Sequence, residues 1–161
     1  MLVQKFGGSS LADLDGFTAA AGIISRAAEK EQVVVVLSAM YGVTDLLEEA
    51  IKTAIKGEDF NAVLKAIRDK EQGILDKMQD IGWDCPLASD YLQHQLQQLD
   101  SRLSGVSLLE QCPPVVQAEL LSTGEGFCSR LMTDVLRAMG YRAKWSDNTV
   151  LPPANDSYTD S

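Results

Sequence analysis

The residues best suited to chemistry stand near the start of the chain, where Lys5 precedes the adjacent glycines Gly7 and Gly8. Glycines after a strand let the backbone turn tightly and bring its N–H groups close to an anion, and the next helix points its positive N-terminus at the same place. Lys5 adds a mobile positive charge. Ser9 and Ser10 either donate hydroxyl groups to phosphate or cap the next helix. Because the P-loop consensus places its lysine after the glycines, this spacing predicts a different kind of phosphate site.

A βαβ unit is predicted to position these residues. Apolar residues recur at helical spacing after the glycines: Leu14, Phe17, Ala21 and Ile24. The next run, residues 33–37, consists of valines and one leucine, which is typical of a strand buried on both faces. A right-handed connection makes the two strands parallel and places their carboxyl ends on one edge. We therefore expect Gly7-Gly8 and Ser38-Ala39 to face one crevice, where open α/β sheets bind ligands.

Three amphipathic helices are predicted after the second strand. Asp45 and Glu48 form a plausible capping box for the first helix. The second helix follows Asp59, and the third begins near Ser89. The third helix carries leucines on one side and places its glutamines, Gln95 among them, on a mostly polar side.

These helices predict a long insertion, about residues 59–123, between the second and third strands. A substrate-side lid, an oligomer contact and ordinary packing all explain its leucines. Pro113-Pro114 suits the first turn of a further helix, and another helix follows a break at Gly124. Residues 141–145 alternate like a third strand, and residues 150–161 are rich in turn formers.

Composition excludes several classes of protein. A length of 161 residues with 45% hydrophobic and 23% charged residues suits one globular domain. The net charge of −9 argues against a nucleic-acid surface. No apolar run approaches a membrane span of about 20 residues and no signal peptide is apparent, so we expect a cytoplasmic protein. The cysteines, Cys85, Cys112 and Cys128, have no zinc spacing with His94, which predicts reduced structural thiols and no metal site.

Four blocks of the sequence have counterparts in a known family. Residues 5–13 (KFGGSSLAD) closely resemble the opening of aspartokinases, which are members of the amino acid kinase family. Residues 36–45 (VLSAMYGVTD) are similar to the second-strand loop of that family, and residues 121–125 (LSTGE) to its glutamate-bearing helix start. Residues 105–113 (GVSLLEQCP) further resemble the form of aspartokinase that is fused to homoserine dehydrogenase.

The resemblance implies a fold and a reaction. The fold is an α/β three-layer sandwich with a mainly parallel sheet, of which this chain supplies a part. The reaction transfers the γ-phosphate of ATP to the side-chain carboxylate of L-aspartate and gives 4-phospho-L-aspartate, the first intermediate toward lysine, threonine and methionine. Mg²⁺ is implied as a cofactor bound through the ATP phosphates. The residues alone do not select aspartate over glutamate or another acyl acceptor.

Roles for individual residues follow from the same resemblance. Lys5 stabilises charge on the transferring phosphate; Gly7, Gly8 and Ser9 contact ATP phosphates; Ser38, Thr44 and Glu125 contact aspartate, with Glu125 receiving its ammonium group. Each role has a simpler alternative. Lys5 alternatively flanks an edge strand, Thr44 alternatively caps a helix, and Glu125 in a first helical turn alternatively stabilises the helix dipole.

The resemblance covers the chain, residues 1–161, as the N-terminal portion of one catalytic domain, without a regulatory or dehydrogenase domain. The missing half of such a domain brings the adenine-side strands and an arginine and an aspartate near the acceptor. We therefore expect little activity from this chain alone and a homo-oligomer for the full-length protein. The competing hypothesis is a non-catalytic binding or assembly module derived from an amino acid kinase.

Overall fold

The computed structural model describes residues 1–146, which contain two strands and six α-helices. The elements in chain order are β1 (Leu2–Phe6), a short 3-10 helix (Gly8–Leu11), α1 (Leu14–Ala28), β2 (Val33–Leu37), α2 (Val43–Ile55), α3 (Asn61–Asp80), α4 (Pro86–Leu109), α5 (Pro114–Leu121) and α6 (Thr123–Ala138). None of the helices in this part of the chain is both long and apolar enough to cross a membrane.

The predicted βαβ unit is confirmed. Strands β1 and β2 pair in parallel, with Leu2 opposite Val33 and Phe6 opposite Leu37. The expectation that the second strand is buried on both faces is wrong for the described residues, because Val34 and Val36 are 42% and 39% exposed. Helices α1 and α6 contact β2, and the outward-pointing valines alternate with the residues that face this helical layer.

The predicted third strand over residues 141–145 is not formed. Gly140 adopts a left-handed conformation with φ of +89°, and the Tyr141 amide then donates to Leu136 O at 2.9 Å. The Ala143 amide donates to Tyr141 O, and Arg137 Nε donates to Ala143 O at 3.0 Å. This segment therefore turns back onto the end of α6 instead of pairing with a strand. The predicted loop at residues 150–161 lies outside the described residues.

Two helix starts differ from the sequence predictions. Gly42, with φ of +79°, is the N-cap of α2, so Asp45 lies inside the helix and the predicted capping box with Glu48 is wrong. The glycine reaches a left-handed conformation without strain and lets the helix begin three residues earlier than the capping box predicted. Helix α4 begins at Pro86 and not near Ser89, because proline is well suited to a first helical turn.

Helices α2, α3, α4 and α6 form the core with α1 and the sheet. Helix α4 packs most extensively against α6, and α3 packs against both α2 and α4. Fully buried side chains include Phe17, Leu99, Leu103 and Phe127. The helical insertion therefore packs against the βαβ unit through α6 and α2, and the leucines predicted on α4 contribute to this core.

A buried aspartate on α6 caps the start of α4. Asp134 is 3% exposed, and its Oδ2 accepts a hydrogen bond from the Ala88 amide at 3.0 Å. Burial raises the pKa of Asp134, while hydrogen bonds from the amides of Ala88 and Leu87 oppose that rise. The N-cap residue of α4, Cys85, makes no side-chain capping bond. A residue far along the chain thus satisfies amides that would otherwise be unpaired at a buried helix end.

Replacing Asp134 by alanine should lower the free energy of unfolding by about 2 kcal/mol, because the helix loses its cap and buried amides lose their acceptor. Asp134→Asn keeps an accepting oxygen and should lose less. Urea denaturation of both variants checks this, with the exposed Asp100→Ala on α4 as control. Equal stability of the alanine and asparagine variants would show that the capping bond contributes nothing.

Candidate active site

The carboxyl ends of β1 and β2 carry loops that touch each other. A Cβ atom placed on Gly8 would lie 3.0 Å from Ala39 O and 3.6 Å from the Tyr41 backbone. A side chain at Gly8 would therefore push the two loops apart. Gly7 has an extended backbone with φ of −81°, which any residue adopts, and a Cβ there would meet nothing within 4 Å. Of the two glycines, Gly8 is the one that the contact between the loops requires.

Free backbone amides line the loop after β1. The Ser10 amide donates to Gly7 O at 3.0 Å, whereas within residues 1–146 the amides of Gly8 and Ser9 have no acceptor. Free amides at the start of a helical turn can bind an anion. The 3-10 helix supplies this turn, which corrects the expectation that the next long helix would do so. Asp13 caps α1 by accepting from the Gly16 amide at 2.9 Å, so neither Ser9 nor Ser10 is its cap.

The start of α6 packs against the loop after β2. A Cβ atom on Gly124 would lie 2.7 Å from Ala39 Cβ and 3.0 Å from Val43 Cγ1. The next residue, Glu125, stands in the first turn of α6. The close approach at Gly124 therefore brings a carboxylate to the edge of the sheet where the two loops meet.

Lys5 and Glu125 interact across this edge. Partial burial raises the pKa of the Glu125 carboxyl, and the positive charge of Lys5 lowers it in part. The two side chains make no ion pair within 4 Å in the described structure. Lys5 and Glu125 thus present opposite charges at this sheet edge, and a ligand with both negative and positive groups would find a partner for each.

Ser38 and Thr44, whose hydroxyl groups are predicted to contact aspartate, lie on either side of the loop after β2. Ser38 extends the sheet ladder, since its amide donates to Phe6 O at 3.0 Å. Thr44 is exposed in the first turn of α2, and the helix is capped by Gly42, so Thr44 is not the N-cap. Neither hydroxyl makes a hydrogen bond to another residue within residues 1–146.

Two further cations near this region were not predicted from the sequence. Lys70 Nζ lies 3.7 Å from the position of a Cβ on Gly42. Arg130 lies between the rings of Tyr91 and Trp145, 3.8 Å from each centroid, and Nη1 donates to Gly126 O at 2.8 Å. In the sequence both residues look like ordinary helical surface cations, so no local signal distinguishes them.

The sequence model of the amino acid kinase family matches residues 1–156, so the chain belongs to the amino acid kinase family. Its relatives within that family are aspartokinases. It is 26% identical over 169 residues to the bifunctional aspartokinase/homoserine dehydrogenase of Buchnera aphidicola, covering 100% of this chain and 20% of that protein. It is 29% identical over 163 residues to the lysine-sensitive aspartokinase 3 of Escherichia coli, covering 98% of this chain and 33% of that protein.

Solved structures support the same relationship. E. coli aspartokinase III in complex with aspartate and ADP matches with a TM-score of 0.72 and 27% identity, over 88% of this chain and 30% of that chain. The aspartate kinase of Clostridium acetobutylicum shares the fold, with a TM-score of 0.64 at 24% identity over 85% of this chain and 29% of that chain. The expected family and the partial α/β fold are therefore confirmed. The chain spans about a fifth to a third of the length of these curated relatives.

Proposed function

We propose that this chain forms the phosphate-binding and acceptor part of an aspartate kinase site. One observation carries the proposal. Three segments meet at one edge of the sheet: the glycine loop after β1, the loop after β2 and the start of α6. Lys5 and Glu125 interact electrostatically at this edge. The reaction is transfer of the ATP γ-phosphate to the side-chain carboxylate of L-aspartate. The product, 4-phospho-L-aspartate, leads toward lysine, threonine and methionine.

In this proposal the nucleotide phosphates bind at the loop after β1. The free amides of Gly8 and Ser9 and the ammonium of Lys5 neutralise negative charge on the transferring phosphoryl group, which is the main task of a protein in phosphoryl transfer. No group of three or more His, Cys, Asp or Glu side chains suited to a metal ion occurs in residues 1–146. In this proposal Mg²⁺ would enter with ATP, bound through the ATP phosphates.

Aspartate binds on the other side of the same edge. The Glu125 carboxylate accepts hydrogen bonds from the substrate ammonium, and the hydroxyls of Ser38 and Thr44 donate to its carboxylates. The substrate side chain then attacks the γ-phosphorus in line, and no covalent enzyme intermediate forms. Binding of aspartate and ADP by the E. coli relative supports this choice of substrates. We further propose that the full-length protein is a cytoplasmic homo-oligomer.

Titration calorimetry with L-aspartate and, separately, with Mg-ATP tests the proposal. Glu125→Ala should weaken aspartate binding about 10- to 100-fold, because a hydrogen bond to a charged group contributes about 1.5–3 kcal/mol. Glu49→Ala, an exposed glutamate on α2, is the matched control and should bind like the parent chain. If a demonstrably folded chain gives no heat with either ligand, the proposed site is wrong, although family membership stands.

The alternative is a non-catalytic assembly module of the same ancestry. The exposed apolar residues on the outer face of the sheet, Val3, Val34 and Val36, favour this reading, because parallel sheets are normally covered on both faces. Absence of aspartate and ATP binding, together with association through this face, would favour the alternative over the kinase site.

A further inference from the structure

Helices α3 and α4 bury a polar pair against each other. Glu71 is completely buried and Gln95 is 2% exposed, although the sequence placed Gln95 on a polar side. Gln95 Nε2 donates to Glu71 Oε1 at 3.4 Å. The other oxygen of each group, Glu71 Oε2 and Gln95 Oε1, has no partner within residues 1–146. Unpaired buried oxygens are costly, so this arrangement needs an explanation.

The two unpaired oxygens cannot bond each other while Glu71 is ionised, because both are then acceptors only. A protonated carboxyl supplies the missing donor. We propose that Glu71 is held as the neutral acid and donates through Oε2–H to Gln95 Oε1, so that acid and amide form a closed pair of hydrogen bonds that positions the loop after β2 at Met40.

The electrostatic surroundings agree with a neutral Glu71. Burial raises its pKa to about 8, and the hydrogen bond from Gln95 only partly opposes that rise. Among the helices packed around Glu71, α4 contributes the uncharged Gln95 and α6 contributes the thiol of Cys128. The buried faces of α1 and α2 contain no acidic or basic side chain. Within the described residues no Lys, Arg or His charge contributes to this pKa.

Cys128 links the pair to the candidate site. Its thiol is close enough to interact with the Met40 amide and with the carboxyl groups of Glu71 and Glu125. Burial, then the charge of Glu71, raises the pKa of Cys128, while the Met40 amide lowers it. Met40 belongs to the loop that contacts Gly8 and Gly124 through its neighbours. In the proposal Glu71 acts as a positioning residue behind this loop, and only its effect on aspartate binding depends on the proposed function.

The first test measures unfolding by urea between pH 5 and 10 in the parent chain, Glu71→Gln and the exposed control Glu49→Gln. The pKa of Glu71 rises from about 4.3 when unfolded to about 8 when folded, so between these values the folded state holds one extra proton. We compare the equilibrium constant for unfolding of the parent with that of Glu71→Gln. The ratio of parent to variant should therefore rise about tenfold per pH unit up to about pH 8 and level off above it. Identical pH dependence of the two proteins would overturn the proposal.

The second test follows the position of the loop. The Met40 amide resonance in NMR should shift with the titration of Glu71 in the parent chain, and this shift should be absent in Glu71→Gln, whose amide restores both hydrogen bonds without a charge. Glu71→Leu should be less stable than Glu71→Gln because it leaves Gln95 unpaired. A Met40 resonance that does not respond to Glu71 would disprove the positioning role. A parent chain that binds no aspartate but shows the Glu71 titration would instead count against the proposed function alone.

Discussion

On the proposed function, replacing Lys5 by alanine is expected to slow phosphoryl transfer to aspartate about a hundred- to a thousand-fold. Loss of one preorganised group that stabilises transition-state charge has an effect of this size. Mg-ATP binding should weaken as well, because the phosphates lose a charged partner. Steady-state kinetics with varied ATP and aspartate separates the two effects, and a loss confined to KM would contradict the assigned transition-state role.

The same variant has a consequence that does not depend on activity. Burial raises the pKa of Glu125 and Lys5 lowers it, so removing Lys5 leaves burial unopposed and the pKa of Glu125 should rise further. An NMR titration of the Glu125 carboxyl in the isolated chain measures this shift. Lys56→Ala, at the exposed C-terminal end of α2, is the control and should leave the titration unchanged. No shift in Lys5→Ala would mean that the two charges do not interact.

Gly124→Ala is expected to destabilise the fold by about 1–3 kcal/mol and to disrupt aspartate binding, because overpacking forces rigid neighbours to move. The added methyl group would lie 2.7 Å from Ala39 Cβ and 3.0 Å from Val43 Cγ1, neither of which is the end of a flexible side chain. Helix α6 must then move away from the loop after β2, and Glu125 moves with it. Urea denaturation and aspartate titration measure the two effects.

Gly73→Ala provides a matched control for this change. Gly73 also lies within a helix, but a Cβ there meets nothing within 4 Å, so the substitution should stabilise the chain by about 0.8–1 kcal/mol through helix propensity alone. Adding Ala39→Gly to Gly124→Ala removes the nearest contact and should restore part of the stability. Equal effects of the two glycine substitutions would show that the contact at Gly124 does not constrain α6.

Much of the candidate site could be predicted because its signals are local. The order of Lys5 and the following glycines, and the valine run of β2, depend only on neighbouring residues and predict a phosphate loop at the end of a strand. Ser38, Thr44 and Glu125 entered through the resemblance, and their roles stay predictions. The predicted capping box and third strand failed because the left-handed turns at Gly42 and Gly140 override the preferences of the residues that follow.

A buried ionisable residue can leave a sequence signal without revealing its partner. Glu71 interrupts the apolar stripe of α3 that includes Ile67 and Ile74, and this irregularity marks it as unusual. Nothing near it in the sequence points to Gln95, which is 24 residues away, or to Cys128. The pairing depends on how α3, α4 and α6 pack together.

By itself the sequence determined the βαβ opening and the run of helices after β2, because glycine spacing and hydrophobic periodicity act over a few residues. The resemblance of its motifs indicated the family. Only the tertiary structure decided that Asp134 caps a helix 46 residues earlier, that Gly124 fits against Ala39, and that β2 leaves one face exposed. These features arise from contacts between distant parts of the chain, whose energies depend on the packed geometry and not on the order of the residues.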